Sequence, residues 1–183
     1  MKASAPKLWL NLFFVIACAF TAHAEFRGVW ISSVHNLDWP SEKGLPVAQQ
    51  KAELVRILDS AKSLGLTDVF FQVRPEGDAL YRSSLEPWSR FLSGTQGKDP
   101  GYDPLGFCIS EAGQRGIRVH AWLNPYRASV KAGAPLASNH MARRYRSYAY
   151  KVGSVVCMDP GAREVQDHVV KVVADIARRY KVA

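Results

Sequence analysis

Residues 67–81, TDVFFQVRPEGDALY, decide the fold class. The run Val69–Val73 is almost continuously apolar, which is typical of a strand in a parallel sheet covered on both faces. Polar residues follow immediately, beginning with Arg74 and Glu76. Loops at the carboxyl ends of parallel strands carry the functional groups in α/β folds, so this segment predicts both a central strand and a candidate site.

Short apolar runs alternate with amphipathic helical patterns on both sides of this strand. The pattern predicts strands over 26–32, 67–73 and 117–123, helices over 46–64 and 103–115, a short helix around 140–150, a strand stub over 155–158, and a last helix opened by Asp159 and Pro160. Such alternation indicates parallel βα units. The 183 residues fall short of the roughly 250 typical of a closed eight-fold barrel.

The first 24 residues have the pattern of a secretory signal peptide. Lys2 and Lys7 precede an apolar stretch over 8–20, and Ala22-His23-Ala24 forms a small-x-small cleavage site. The alternative is a lipoprotein box over 15–18, in which Cys18 carries a lipid anchor to the outer membrane. Both predict export to the periplasm or cell envelope.

The charge balance favours an anionic partner. Residues 25–183 carry 22 basic and 16 acidic side chains, a net charge of +6. Cell-wall polymers, anionic lipid and nucleic acid fit such an excess, and export argues against nucleic acid. A basic, aromatic segment over 143–150 is interpreted either as a solvated helix face or as a surface lying along an anionic glycan. Cys108 and Cys157 either pair or remain free thiols.

Polar and aromatic side chains gather at the predicted strand ends. His120, Trp122 and Asn124 share one face of their strand, because alternate residues point the same way. Aromatic faces stack on sugar rings and polar groups bind hydroxyls, so the pattern predicts a carbohydrate groove. The residues expected to bind substrate are Trp39, Gln72, Arg74, Trp122, Asn124, Tyr126 and Arg127. Trp30 and Trp88 are expected in the core.

The candidates for catalysis are weaker. Glu76 and Asp78 have the residue types of a glycosidase acid pair, and the alternatives are a solvated turn or partners for Arg74. His120 is either an acid–base group or a hydrogen-bonded interior histidine. The remaining histidines lack metal-ligand spacing, so no metal is expected.

Several ordered motifs resemble one family. They are FRGVW at 26–30, LDWP at 37–40, the segment 69–81, EPWS at 86–89, GTQGKDPGYDPL at 94–105, RGIRVHAWLNPYR at 115–127 and DPG at 159–161. Together they resemble the glycosyl hydrolase family 10-like proteins, which include the divisome-localised glycosyl hydrolases. The resemblance covers essentially all of residues 25–183.

The resemblance implies a (β/α)8 TIM barrel and an envelope enzyme that hydrolyses peptidoglycan strands stripped of stem peptides. It implies no cofactor and suggests cell-division proteins as partners. In the family, the catalytic carboxylates are expected on an Asp-Asp-Tyr type strand and later strands. We therefore expect a barrel truncated to roughly its first three βα units and inactive alone. The alternative is a non-catalytic glycan-binding protein or a decayed fragment.

Overall fold

The computed structural model describes residues 26–183, so the expected signal peptide and Cys18 lie outside the described residues. Its centre is a parallel sheet of β1 (Gly28–Ile31), β2 (Asp68–Arg74) and β3 (Arg118–Leu123), in the order β1-β2-β3. Trp30 pairs with Phe70, and Phe70 with His120. The three predicted strands are confirmed; β1 and β3 are shorter than predicted, and β2 is shifted by one residue.

Two helices cover one face of this sheet. Helix α1 (Val47–Ser63) follows β1, and α3 (Pro104–Gln114) precedes β3, with the four-residue α2 (Arg90–Ser93) between them. Their apolar residues bury against the outward side chains of the strands, such as Phe71. Fully buried members of this core include Leu54, Leu58, Val69, Phe71, Leu105 and Cys108. The predicted βα alternation is therefore confirmed.

The ends of α3 show why the sequence predicted them well. The Asp103 side chain accepts a hydrogen bond from the Gly106 amide at 3.0 Å, and Pro104 takes the first helical position. After the helix, Gly116 turns the chain at φ 69°, which a side chain would resist. Pro46 differs from expectation, because it precedes α1 as its cap rather than beginning it.

A second, antiparallel sheet follows β3. Strands β4 (Arg127–Ser129), β5 (Ala149–Val152) and β6 (Val155–Met158) lie in the order β4-β6-β5. The expected helix over 140–150 is corrected to the four-residue α4 (Met141–Arg144) and a single 3₁₀ turn over Arg146–Tyr148. The reason is a tight turn at Gly153, with φ 59°, that pairs 149–152 with the predicted strand stub.

The last helix, α5 (Arg163–Arg179), begins later than predicted. Asp159 does not cap it, because its Oδ1 accepts from the nearby Gly161 amide at 2.8 Å. Beyond α5, the Ala183 amide donates to the Val119 carbonyl at 2.9 Å, beside the edge of β3. Within residues 26–183, no helix combines the length and apolar character needed to cross a bilayer.

Candidate functional site

An aromatic cluster occupies the sheet face that α1 and α3 do not cover. Trp30 stacks on Phe70 with ring centroids 4.4 Å apart, and Phe70 stacks on His120 at 4.6 Å. Trp122 meets Trp30 edge-on at 5.0 Å and 89°. His120 and Trp122 lie on the same face of β3, as predicted. The expectation of a core Trp30 is corrected, because 57% of this residue is exposed. Trp88 is partly buried against the core, as predicted.

A cavity of about 500 Å³ opens on this cluster. Trp30, His120 and Trp122 line one side, while Val173 and Ile176 of α5 line the other. In the register of the sheet, Trp122 lies opposite Gln72, one row nearer the carboxyl ends than His120. Ligands bind at that end in parallel α/β folds, so Trp122 is the aromatic side chain best placed to meet one.

His120 is anchored towards the amino end of the sheet. Its Nε2 lies 2.7 Å from Oδ1 of the buried Asp68, which also binds the Arg118 guanidinium. Burial opposes ionisation, but hydrogen bonds from Arg118, His120 and Thr67 lower the pKa of Asp68 to about 2. This bonding favours the interior-histidine interpretation of His120 over the acid–base interpretation.

Gln72 fixes the loop that follows β1. Its Oε1 accepts hydrogen bonds from the amides of Ser33 at 3.0 Å and Val34 at 2.9 Å, and from the Ser32 hydroxyl at 3.1 Å. The side chain is fully buried, and its Nε2 has no hydrogen-bond partner among residues 26–183. Gln72, an expected substrate-binding residue, therefore holds the loop after β1 through its side-chain oxygen, and only its side-chain nitrogen is unpaired.

Arg74 is part of a buried ionic network. Its Nε donates to Oε2 of Glu86 at 2.7 Å, and its Nη1 donates to the carbonyls of Asn124 and Pro125. His168 of α5 lies 3.0 Å from the Glu86 carboxylate. Burial favours a neutral Glu86, but the charge of Arg74 and the hydrogen bond with His168 lower its pKa to about 2. Arg74 is fully buried, which corrects its assignment as a substrate-binding residue.

Glu76 and Asp78 are also fully buried. Glu76 accepts from the Val130 amide and lies 3.1 Å from Arg90 Nε, while Asp78 accepts from Gln96 at 3.0 Å. Burial raises the pKa of both carboxyl groups, and the charge of Asp78 adds to the shift at Glu76. Neither group reaches solvent, which corrects the expectation of an acid pair acting on substrate.

The predicted Trp39 points away from the site. It is fully buried on the helix-covered side, where its Nε1 donates to the Gln50 carbonyl at 2.8 Å and its ring packs edge-on against Phe71. This burial corrects the prediction that Trp39 stacks on sugars. The loop that carries it nevertheless lies at the carboxyl end of β1, since the Trp39 amide donates to the Ser32 carbonyl.

Asn124, Tyr126 and Arg127 are half-buried beyond the end of β3. The backbone amide of Asn124 donates to the Arg74 carbonyl at 3.0 Å, and Arg127 Nε donates to the Pro75 carbonyl at 2.9 Å. We call Trp122, Asn124 and Tyr126 the rim. Within the part of the chain that the structure describes, no three histidine, cysteine or acidic side chains are grouped to hold a metal ion.

Sequence reasoning assigned Trp30 to the core and did not single out Phe70. Trp30 shares its parity with Ser32, so the two-residue period of β1 indicates the face on which Trp30 lies but not that this face is open. Cys108 and Cys157 are both free; the first lies on the buried face of α3 and the second in β6. Burial raises the pKa of the Cys108 thiol to about 12.

Solved structures share this fold at low sequence identity. An α-galactosidase from Geobacillus stearothermophilus matches with a TM-score of 0.53 and 14% identity, over 90% of this chain and 21% of that one. The maltogenic α-amylase AmyB from Thermotoga neapolitana matches with a TM-score of 0.52 and 16% identity, over 85% of this chain and 37% of that one. The parallel sheet is thus part of a TIM-barrel fold, as the sequence predicted.

Curated relatives are considerably closer in sequence. Glycosyl hydrolase YngK of Bacillus subtilis is 42% identical over 175 residues, which cover 92% of this chain and 34% of YngK. Glycosyl hydrolase DigH of Escherichia coli K12 is 38% identical over 173 residues, which cover 85% of this chain and 39% of DigH. The chain thus spans between a third and two fifths of the length of these relatives. The profile described as glycosyl hydrolase-like 10 matches residues 25–183, and the chain belongs to that family.

Proposed function

We propose that this chain is the glycan-holding part of a glycoside hydrolase of the bacterial envelope, and that its ligand is the glycan strand of peptidoglycan. The observation that carries the proposal is the rim, where the half-buried Trp122, Asn124 and Tyr126 follow one another at the carboxyl end of β3, and Trp122 lines the open cavity. The family membership supports a glycan substrate, and the N-terminal sequence pattern supports export.

The geometry of the two tryptophans suits sugar binding. Trp30 contacts Trp122 edge-on at 89°. This arrangement holds the Trp122 indole in place without covering both of its faces. The apolar face of a pyranose ring can stack on such an indole. The side-chain amide of Asn124 and the hydroxyl of Tyr126 then supply polar contacts for the sugar substituents.

Hydrolysis requires two carboxyl groups flanking the scissile bond. Glu76 and Asp78 are the acids nearest the carboxyl end of β2, and both are buried within internal hydrogen bonds. We therefore propose that this chain by itself binds glycan without cleaving it. The same observation favours the second candidate function, a non-catalytic glycan-binding protein.

Binding and cleavage can be measured together on peptide-free glycan strands. The full chain is titrated with labelled strands by fluorescence anisotropy, and the products are separated by chromatography. We expect binding without release of fragments, and a loss of affinity of about five- to tenfold in Trp122→Ala. Leu64→Ala removes an exposed apolar side chain away from the rim and is the control.

Three results would contradict the proposal. Wild-type affinity in Trp122→Ala, or no binding by the wild type, would remove the rim as a glycan site. Release of fragments by the wild type would show that the chain is catalytic alone.

A further inference from the structure

The net positive charge of residues 25–183 comes from one segment. Residues 126–158, which we call the basic lobe, contain six basic and no acidic side chains. The basic residues are Arg127, Lys131, Arg143, Arg144, Arg146 and Lys151. The rest of residues 25–183 holds 16 of each sign, so the net charge of +6 belongs entirely to the lobe.

The structure leaves much of this charge uncompensated. Arg144, Arg146 and Lys151 are exposed, and none has an ion pair with another described residue. The two acids that hydrogen-bond to the lobe meet neutral groups. Glu76 accepts from the Val130 amide, and Glu164 accepts from the Tyr148 hydroxyl at 3.0 Å. The lobe therefore presents a positive surface to solvent.

An aromatic side chain lies within this surface. Strand β5 is an edge strand of the antiparallel sheet, and Tyr150 on it is 46% exposed. Tyr150 pairs with Cys157, which in turn pairs with Arg127, so the three lie in one row across the sheet. Tyr145 and Tyr148 are less accessible, because they contact His168 and Glu164 of α5.

The basic lobe continues the rim. Its first strand, β4, begins three residues after Asn124, and the Ala137 amide donates to Gln96 at 3.0 Å. His140 lies 2.7 Å from the carbonyl of Glu76, in the loop after β2. A polymer that crosses Trp122 is thus in reach of the lobe.

We propose that the basic lobe binds a polyanionic glycan, a strand whose sugars carry carboxylate groups. This inference rests on the proposed function, since it extends the same rim. A membrane-surface element needs a broad apolar face, and the exposed large apolar side chains here are only Tyr150 and Val152. Single-stranded nucleic acid is held by several stacking aromatics, whereas Tyr150 is the one exposed aromatic side chain of the lobe. A row of cations with one aromatic fits an acidic sugar polymer.

The test compares two triple variants of equal charge change. The lobe variant carries Arg144→Ala, Arg146→Ala and Lys151→Ala. The control variant carries Arg56→Ala, Lys171→Ala and Arg178→Ala, which remove exposed cations elsewhere. The probes are peptide-free glycan strands with free muramic carboxylates, and the same strands with these groups converted to neutral amides.

We expect the lobe variant to bind the carboxylate strands about tenfold more weakly than wild type, and the control variant to differ by at most about twofold. Amidated strands should bind wild type and lobe variant equally. Circular dichroism confirms that both variants are folded.

Equal losses of affinity in the two variants would show that only the net charge of the chain matters, and would overturn the proposal. Tighter binding to phosphatidylglycerol vesicles or to a DNA duplex, lost in the lobe variant, would replace the glycan with a lipid surface or nucleic acid. The amidated strands separate the two proposals. If they bind through Trp122 while the carboxylates contribute nothing, only the inference about the lobe fails.

Discussion

The two faces of the parallel sheet are built from the same three strands but have different chemistry. On the face covered by α1 and α3, Val69, Phe71 and Val119 are almost fully buried. On the opposite face, Trp30 and Trp122 border an open cavity. Alternate residues of a strand point to opposite faces, so a single register places aliphatic residues on one side and aromatic residues on the other. Packing against the helices stabilises the first face, and only the second face is open to a ligand.

The carboxyl end of β2 departs from this division. Gln72, Arg74, Glu76 and Asp78 are polar, follow one another at the place where sites occur, and are all fully buried. Most of their polar atoms bind other parts of the chain, including loops and α5 through Glu86. Polar residues at a strand end can therefore organise the loops of a site without touching its ligand.

The largest effect should come from breaking this internal network. Arg74→Ala leaves the Glu86 carboxylate buried without its cation, which we expect to cost about 3–5 kcal/mol of unfolding free energy. Urea unfolding followed by circular dichroism measures the change. Arg118→Ala is the control, because Arg118 also pairs with a buried acid but is itself 59% exposed. A loss from Arg74→Ala no greater than that of the control would mean that the network does not stabilise the fold.

A smaller effect should appear as a dependence on acid pH. The pKa of Glu86 falls from its usual 4.5 to about 2 on folding, so its stabilisation is complete above pH 4.5 and is lost as the pH falls towards about 2. Protonation leaves a carboxyl group in place to hydrogen-bond, hence the effect is smaller than deletion of Arg74. The unfolding free energies of wild type and Glu86→Gln should converge over this range. Curves that stay parallel from pH 5 to about 2 would show that Glu86 does not titrate there.

Local signals were sufficient to predict the parallel unit. The period of the apolar residues gave the strands and helices, and Asp103, Pro104 and Gly116 marked the ends of α3 because each acts within one turn of its own position. The parity of Trp122 followed from its strand alone. These features depend on neighbours along the chain, which the sequence contains explicitly.

The features that could not be predicted depend on residues far apart in sequence. His168 meets Glu86 across 82 positions, and β4 pairs with β6 across the whole basic lobe. The two tryptophans of the first βα unit were also assigned in the wrong places. Trp39 lies in a loop, where no period fixes its direction, and it turns into the helix-side core. The exposure of Trp30 follows from what covers the sheet face, which its own strand does not specify.

The smallest effects on stability should come from replacing tryptophan by phenylalanine at two positions, one on each face of the sheet. The pair of variants also gives the sharpest contrast between the two faces. Trp39→Phe removes the hydrogen bond to the Gln50 carbonyl inside the core, which we expect to cost about 1–3 kcal/mol. Trp122→Phe changes a half-buried side chain on the open face, and the unfolding free energy should stay within about 0.5 kcal/mol of wild type. Urea unfolding and glycan titration are performed on both variants.

The glycan titrations should show the opposite order. Trp39→Phe should bind glycan strands like the wild type, without denaturant and at a temperature where the variant is folded. The reason is that the Trp39 indole contacts the core and not the open face. Trp122→Phe should bind more weakly, because the phenyl ring offers a smaller stacking surface than the indole. If Trp39→Phe instead loses affinity while remaining folded, the two faces are coupled through Phe71 and the strand between them. Stability and recognition would then not be separable by face.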